Sequence, residues 1–217
     1  MIVSFAYSAF SVYNWAAYGN CNGEDSDAFC VFNAFGNKAT ITLSDIPLNE
    51  FPSFGPNDAK IQIVEFGCYQ CPYTLLAESE MRKIRSTYPN DVHITFIPAP
   101  VPHHYNAVRA AEAAMCADKD DKYWEYHDVL FNNQPKFNNS LSSDKVLDVL
   151  EGFGRVVGLG NNFDTCLAKG HAADKIQKAS EYSINIGIEG TPTFYINGVK
   201  TKKSIKLVDV EKLIDKN

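Results

Sequence analysis

Positive charge is scarce in this chain and absent from its start. The first basic residue is Lys38, and 20 Lys and Arg against 26 Asp and Glu leave a net charge of −6. With no basic block and no RNA-reading motif, nucleic acid is excluded as a partner class. No P-loop, dinucleotide fingerprint or Ser-His-Asp pattern is present, which removes nucleotide-dependent and serine-hydrolase chemistry. A clean membrane span is missing too. The most apolar stretch, residues 1–18, is interrupted by Ser, Tyr and Asn and lacks the positive flank of a signal peptide. It reads either as an amphipathic helix with Phe5, Ala9, Val12 and Trp15 or Ala16 on one face, or as the stub of an export signal or membrane anchor whose start is missing.

What is present suits a folded globular chain. At 217 residues with 45% hydrophobic and 21% charged side chains, it is long enough for one large domain, or a core with an insertion. Residues 19–55 are rich in Asn, Gly, Asp, Ser and Pro and read as an irregular arm, with a short strand expected at Thr40–Leu43. Ile61–Phe66 (IQIVEF) is an apolar run bounded by polar residues, the pattern of a buried central strand. Ala77, Met81, Ile84 and Tyr88 then recur at helical spacing until Pro89-Asn90. Val92, Ile94 and Phe96 alternate with His93 and Thr95 as a second strand, giving a right-handed βαβ unit. From His104 to Gly187 there is no strand pattern: AVRAAEAAMCA, YWEYHDVLF, DKVLDVLEGF and a long stretch ending near Ile186 are helical in composition and period. TFYIN and VKTKK flank Asn197-Gly198, a strong hairpin signal. A last helix carries Leu207, Val210 and Leu213/Ile214 on one face.

This order, βαβ, a helical block, then ββα, is that of an α/β thioredoxin-like core with an inserted all-helical subdomain. The expected division is 1–54 (N-terminal helix and arm), 55–103 (βαβ half), 104–187 (insertion) and 188–217 (ββα half).

The six cysteines fall by position into Cys21/Cys30, Cys68/Cys71 and Cys116/Cys166, and an even, paired inventory leans toward an oxidising compartment. The middle pair carries the chemistry. A C-x-x-C between a strand and a helix is a redox motif, because a helix N-terminus favours thiolate and a second cysteine resolves the mixed disulfide. Pro72 sets the register. If Cys68 capped the helix, Pro72 would fall at the fourth helical position, past the first turn where proline is harmless. With Cys71 as N-cap, Pro72 falls at N1, where its missing N–H costs nothing. Cys71 is therefore the exposed reactive sulfur, and the position three residues into the helix is Thr74, which forms no disulfide. Cys68, three residues upstream, is expected to be the disulfide partner of Cys71. A monothiol (glutathione-type) route through Cys71 alone, an inert pair or a metal site, and a non-catalytic thioredoxin-fold module that binds extended chains without turnover remain as alternatives.

VEFGCYQCPYT, the stretch AVRAAEAAMCA…YWEYHDVLFNNQ, and GTPTFYING together resemble the DsbA-like oxidoreductases with a helical insertion. The resemblance runs from about Gly55 to the C-terminus. The family's active site reads F-x-x-x-x-C-P-x-C; Phe66, Cys71 and Pro72 match it and Thr74 departs from it. The resemblance implies that Thr191-Pro192 is the loop proline, with a cis bond, that presents backbone to a substrate chain and keeps metal ions off the thiols. It also implies that Glu65 is the buried acid that relays protons; a carboxyl in a strand apolar on both faces would have a raised pKa. Implied partners are proteins with cysteines, and a membrane quinone-linked oxidase or thioredoxin-like reductant that restores the redox state. The implied location is extracytoplasmic. No cofactor is called for, since the disulfide carries the two electrons.

The other cysteines read as structural. Cys21 and Cys30 enclose a polar loop and form either a closing disulfide or a second redox pair. Cys116 and Cys166 lie on different helices and are either a disulfide or two buried thiols. His103-His104, after Pro100 and Pro102, fall near the active-site loop; with Cys68 and Cys71 they supply zinc's ligand types, but at no finger or ribbon spacing, so no metal is expected. Trp124, Tyr126 and Phe131 read as core. Direction of transfer depends on potential, and so on Tyr69 and Gln70 between the cysteines.

Overall fold

The computed structural model describes residues 42–201 and 204–215. The N-terminal helix, the Cys21/Cys30 loop and all but the end of the strand expected at Thr40–Leu43 lie outside them. Leu43 itself opens a 3-10 turn, Leu43–Asp45, followed by a second at Leu48–Glu50.

Among the described residues of this arm, β1 (Ser53–Phe54) forms an edge strand antiparallel to β3 (Val92–Pro98). β2 (Ile61–Gly67) is central, parallel to β3 and antiparallel to β4 (Thr193–Ile196). β5 (Val199–Lys200) closes the order β1-β3-β2-β4-β5. The β4–β5 turn has positive φ at both central residues, 48° at Asn197 and 81° at Gly198, which Asn-Gly tolerates and most pairs do not.

α1 (Pro72–Thr87) makes the crossover between the parallel strands and ends at Tyr88. Ala77, Met81 and Ile84 of α1 pack with Ile61, Ile63 and Ile94 of the sheet and with Val210. Five helices follow β3: α2 (Ala107–Asp118), α3 (Tyr123–Asn132), α4 (Ser143–Val156), α5 (Asn161–Ala168) and α6 (Ala173–Asn185). The long stretch near residues 161–186 is thus two helices, broken at Gly170 with φ of 64°. α7 (Leu207–Ile214) ends the described chain.

The helical block packs on Val64, Phe66 and Ile97 to make the larger core, with Tyr126 and Phe131 inside it. Both faces of β2 are therefore covered, which is why its sequence is an apolar run and not an alternation. Ala-rich α2 is at the centre of the block, and Cys116 on it is joined to Cys166 on α5 by a disulfide with a Cα–Cα distance of 5.8 Å. Among the described residues no helix is long and apolar enough to cross a membrane.

Candidate active site at the first helix N-terminus

β2 runs out at Gly67, where an added Cβ would come within 2.5 Å of the Phe96 ring, and the chain turns through Cys68, Tyr69 and Gln70 into α1. The turn is closed by Cys71 N–H donating to Cys68 O at 3.0 Å. Cys71 is the N-cap, with extended backbone (φ −76°, ψ 122°), and Pro72 is the first helical residue. The missing N–H of proline falls where no helical acceptor exists, so the helix starts here and nowhere upstream.

Both cysteines are free thiols and buried, so Cys71, expected as the exposed sulfur, is itself only 5% exposed, held under Thr191 of the cis-proline loop. The Cys71 sulfur donates to the Thr191 carbonyl at 3.1 Å, and the Thr191–Pro192 peptide is cis. The strand order brings these two segments together, because β4, which follows Pro192, pairs directly with β2, which precedes Cys68. Cys68 sits on the other side of the turn, 1% exposed. Burial pushes its thiol up to about 11. Its backbone N–H points at Thr74 Oγ1, 3.4 Å away, so Thr74, where the family has a cysteine, is a buried hydrogen-bond acceptor beneath the loop. The Cys68 sulfur lies 3.2 Å from His104 Nδ1, so of the His pair it is His104 that reaches the cysteines.

The two residues between the cysteines point inward and tie the loop to the helical block. Gln70 donates to Phe137 O and accepts from Asn106 N, both at 2.7 Å. Gln134 Nε2 donates to the carbonyls of Tyr69 and Cys71 at 2.9 and 3.0 Å. The Tyr69 hydroxyl lies 2.8 Å from that of Tyr123 and 3.1 Å from His127 Nδ1.

Behind the loop lies a buried polar group that sequence reasoning reached only at Glu65. Glu65 pairs in the sheet with Phe96 and Phe194, so neither neighbouring strand gives it a polar partner. Its carboxyl faces Glu78 of α1, and Glu78 Oε2 lies 3.1 Å from His127 Nε2 of α3. Desolvation first, then the charge of Glu78, holds the Glu65 carboxyl well above the ordinary glutamate range. At Glu78 desolvation acts the same way, but His127 and Arg85 outweigh it and hold the carboxyl low. The pair therefore splits into one protonated and one ionised carboxyl, Glu65 donating and Glu78 accepting. Arg85, bonded to Asp128 at 2.6 Å and stacked 4.5 Å over Trp124, completes the group. The signal for Glu78 was in the sequence: Thr74, Glu78, Met81 and Arg85 share one helical face, so a carboxylate interrupts the apolar stripe of α1.

A buried proton has a pH signature. Because the folded Glu65 pKa is raised, its contribution to stability is fully present below the ordinary glutamate value and is lost as pH rises through the folded value. Glu65→Gln removes that loss. The stability of this variant relative to the parent should therefore climb with pH, by up to about 1.4 kcal/mol per unit between the ordinary glutamate value and the folded one, and level off above the folded value. Urea unfolding of both proteins from pH 5 to 9 measures this, and parallel curves would mean that Glu65 ionises normally.

Comparisons with known proteins agree with this fold. A family model described as Thioredoxin matches residues 50–216. Disulfide bond formation protein D of Bacillus subtilis is 26% identical over 172 residues, covering 76% of each chain. The crystal structure of oxidised BdbD from the same organism superposes with a TM-score of 0.68 at 25% identity, covering 78% of this chain and 93% of that one. Na(+)/H(+) antiporter NhaA 1 of Salinispora arenicola is 31% identical over 146 residues, but the matched part is 66% of this chain and only 21% of the antiporter. The chain thus spans about a fifth of the length of that relative.

Proposed function

The chain belongs to the DsbA-like thioredoxin-fold family, and from that membership we propose that it is a thiol:disulfide oxidoreductase in which Cys71 exchanges with substrate and Cys68 is its partner. The observation that carries the reading is the placement of Cys71. Cys71 is the N-cap residue of α1, and its sulfur lies against the carbonyl that precedes the cis proline. A helix N-terminus favours negative charge at its cap, the form in which a sulfur attacks or leaves. Cys68, three residues upstream across a closed turn, supports an intramolecular disulfide in place of the one that Thr74 rules out. Pro192 and the Thr191 carbonyl serve as the backbone against which an extended substrate chain lies.

Substrates of this reading are proteins with exposed cysteines. Tyr73 and Leu76 on the outer side of α1, and Tyr105 beside His104, are each about 70% exposed and offer apolar contact around the thiols. The same reading places the protein outside the cytoplasm, where disulfides persist, with a membrane oxidase or thioredoxin-like reductant to restore its redox state. Glu65 and Glu78 act behind the loop as the group that sets its proton balance.

A second reading has a specific observation behind it. The burial of Cys68 favours a monothiol cycle in which Cys71 alone forms mixed disulfides with a small thiol. A titration in glutathione buffers, with alkylation and mass mapping of each cysteine, separates the two. Under the dithiol reading Cys68 and Cys71 titrate together as one two-electron couple. If Cys68 stays alkylatable while Cys71 only gains glutathione, the monothiol reading replaces it.

A further inference from the structure

The placement of Cys68 creates a chemical requirement that the family's usual parts do not meet. A thiol pushed up to about 11 is almost wholly protonated near neutral pH, and a protonated thiol is a poor nucleophile. Some group must take its proton as it attacks. Glu65 is unsuited to this: burial and the neighbouring Glu78 hold its carboxyl toward the protonated form, and its hydrogen bond is to Glu78. Glu78 is engaged with His127.

His104 meets the requirement. Its Nδ1 lies 3.2 Å from the Cys68 sulfur, within hydrogen-bond reach for a sulfur donor. Desolvation, with the neighbouring His103, holds the ring below the ordinary histidine value, so near neutral pH it is an uncharged acceptor. The backbone that carries it is fixed, with His104 N–H donating to Val101 O at 2.9 Å and Ala107 N–H to His104 O at 3.0 Å. Asn139 pins the same loop by donating to His103 O at 2.6 Å and accepting from Tyr105 N at 2.9 Å. The ring opens on a polar cleft of about 390 Å³ lined by Gln70, Gln134, Asn138 and Asn139, which gives water a route to it. The titratable groups against the ring are Cys68 and His103; the cleft side chains are neutral.

We infer that His104 is a catalytic residue of the exchange reaction, the base that deprotonates Cys68 as it attacks and the acid that reprotonates it as it leaves. The inference rests on the dithiol reading above. In one direction Cys71 is bound to a substrate sulfur as a mixed disulfide. The Cys68 S–H bond breaks, its proton passes to His104 Nδ1, and the sulfur attacks that of Cys71. The Cys68–Cys71 bond forms, the Cys71–substrate bond breaks, and the substrate sulfur leaves with the electron pair as thiolate. In this step the Cys68 sulfur passes from thiol to disulfide level, the substrate sulfur passes from disulfide to thiolate level, and Cys71 stays in a disulfide throughout, with the imidazolium proton returned to the leaving thiolate or to water. In the other direction a substrate thiolate attacks Cys71, and the Cys68 sulfur leaves as imidazolium returns the proton.

The test follows reduced full-length protein reacting with oxidised glutathione, resolved into mixed-disulfide formation and first-order closure. In the parent, closure should speed up with pH only as far as the His104 pKa and then level off. In His104→Gln, closure at pH 7 should fall by about 10²-fold or more, and then rise tenfold per pH unit toward pH 10 as the Cys68 thiol ionises by itself. Formation of the mixed disulfide on Cys71 should not change. His104→Asn, which retains polarity but takes no proton, should behave alike. A uniform loss with the parent's pH profile would make His104 a positioning residue and overturn the inference, as would closure at the parental rate. If the parent itself stalls at the mixed disulfide, as Cys68→Ser should, the dithiol reading fails and this role fails with it.

Discussion

Cys71→Ser should reduce thiol–disulfide exchange to the uncatalysed background, whereas Cys68→Ser should leave long-lived mixed disulfides on Cys71. The two effects differ because the sulfurs occupy different sides of one tight turn. Cys71 lies at the helix N-terminus, against Thr191 O, where a substrate chain would run. Cys68 lies beneath the loop, 1% exposed, and meets no substrate directly. Removing the first sulfur removes the group that forms the covalent intermediate; removing the second removes only the group that clears it. Non-reducing gels and mass mapping after incubation with a reduced protein substrate, or with glutathione disulfide, would read both. Unimpaired turnover by Cys68→Ser would sink the dithiol mechanism and leave Cys71 as a monothiol centre. Thr74→Cys is uninformative as a rescue, since Thr74 is fully buried and already accepts from the Cys68 N–H.

The second large effect is on stability. Cys116 and Cys166 are buried, lie on α2 and α5, and close a sequence separation of 50 residues. Cross-linking a loop of that length restricts the unfolded chain by about 4 kcal/mol on the chain-entropy account. Cys116→Ala with Cys166→Ala should lower unfolding stability by about that much. For a domain of this size that corresponds to a Tm lower by about 8–16 °C. α2 is the centre of the helical block, so the loss should appear as cooperative unfolding of the whole domain and not as local fraying. Urea denaturation at fixed pH checks this; a change under about 1 kcal/mol would show that the unfolded chain does not feel the closure. The same substitution should leave the Cys68/Cys71 couple in place, because the disulfide belongs to the larger core whereas the two thiols pack in a separate cluster with Ala107.

Local features of the chain were legible without a structure, and each for an identifiable reason. Ile61–Phe66 places apolar residues on both alternating faces, Ile61 and Ile63 on one and Val64 and Phe66 on the other, as a strand covered on both sides requires. Asn197-Gly198 supplies two residues that accept positive φ. Pro72 tolerates one position at a helix start, and that single constraint placed Cys71 at the N-cap. The errors lay where local pattern is weak. The edge strand Ser53–Phe54 passed unseen, because two residues of edge pairing leave no periodicity to read, and Leu43, expected in a strand, opens a 3-10 turn. The break at Gly170 passed unseen, because one glycine in a helical pattern is compatible with either outcome.

The sequence by itself determined the central strands, the crossover helix, the hairpin, their order, and which cysteine begins the helix, since these follow from periodicity and from the dihedral limits of proline, glycine and asparagine within a few residues. Only the tertiary structure decided what stands around the thiols. His104 reaches Cys68 across 36 residues of chain, Tyr69 meets Tyr123 and His127, Thr191 reaches Cys71 from the far half of the sheet, and Cys116 finds Cys166. None of these pairings has a period or a spacing of its own. They exist because the helical block folds back over the end of β2, and the packing that buries Cys68 also delivers the base that it needs.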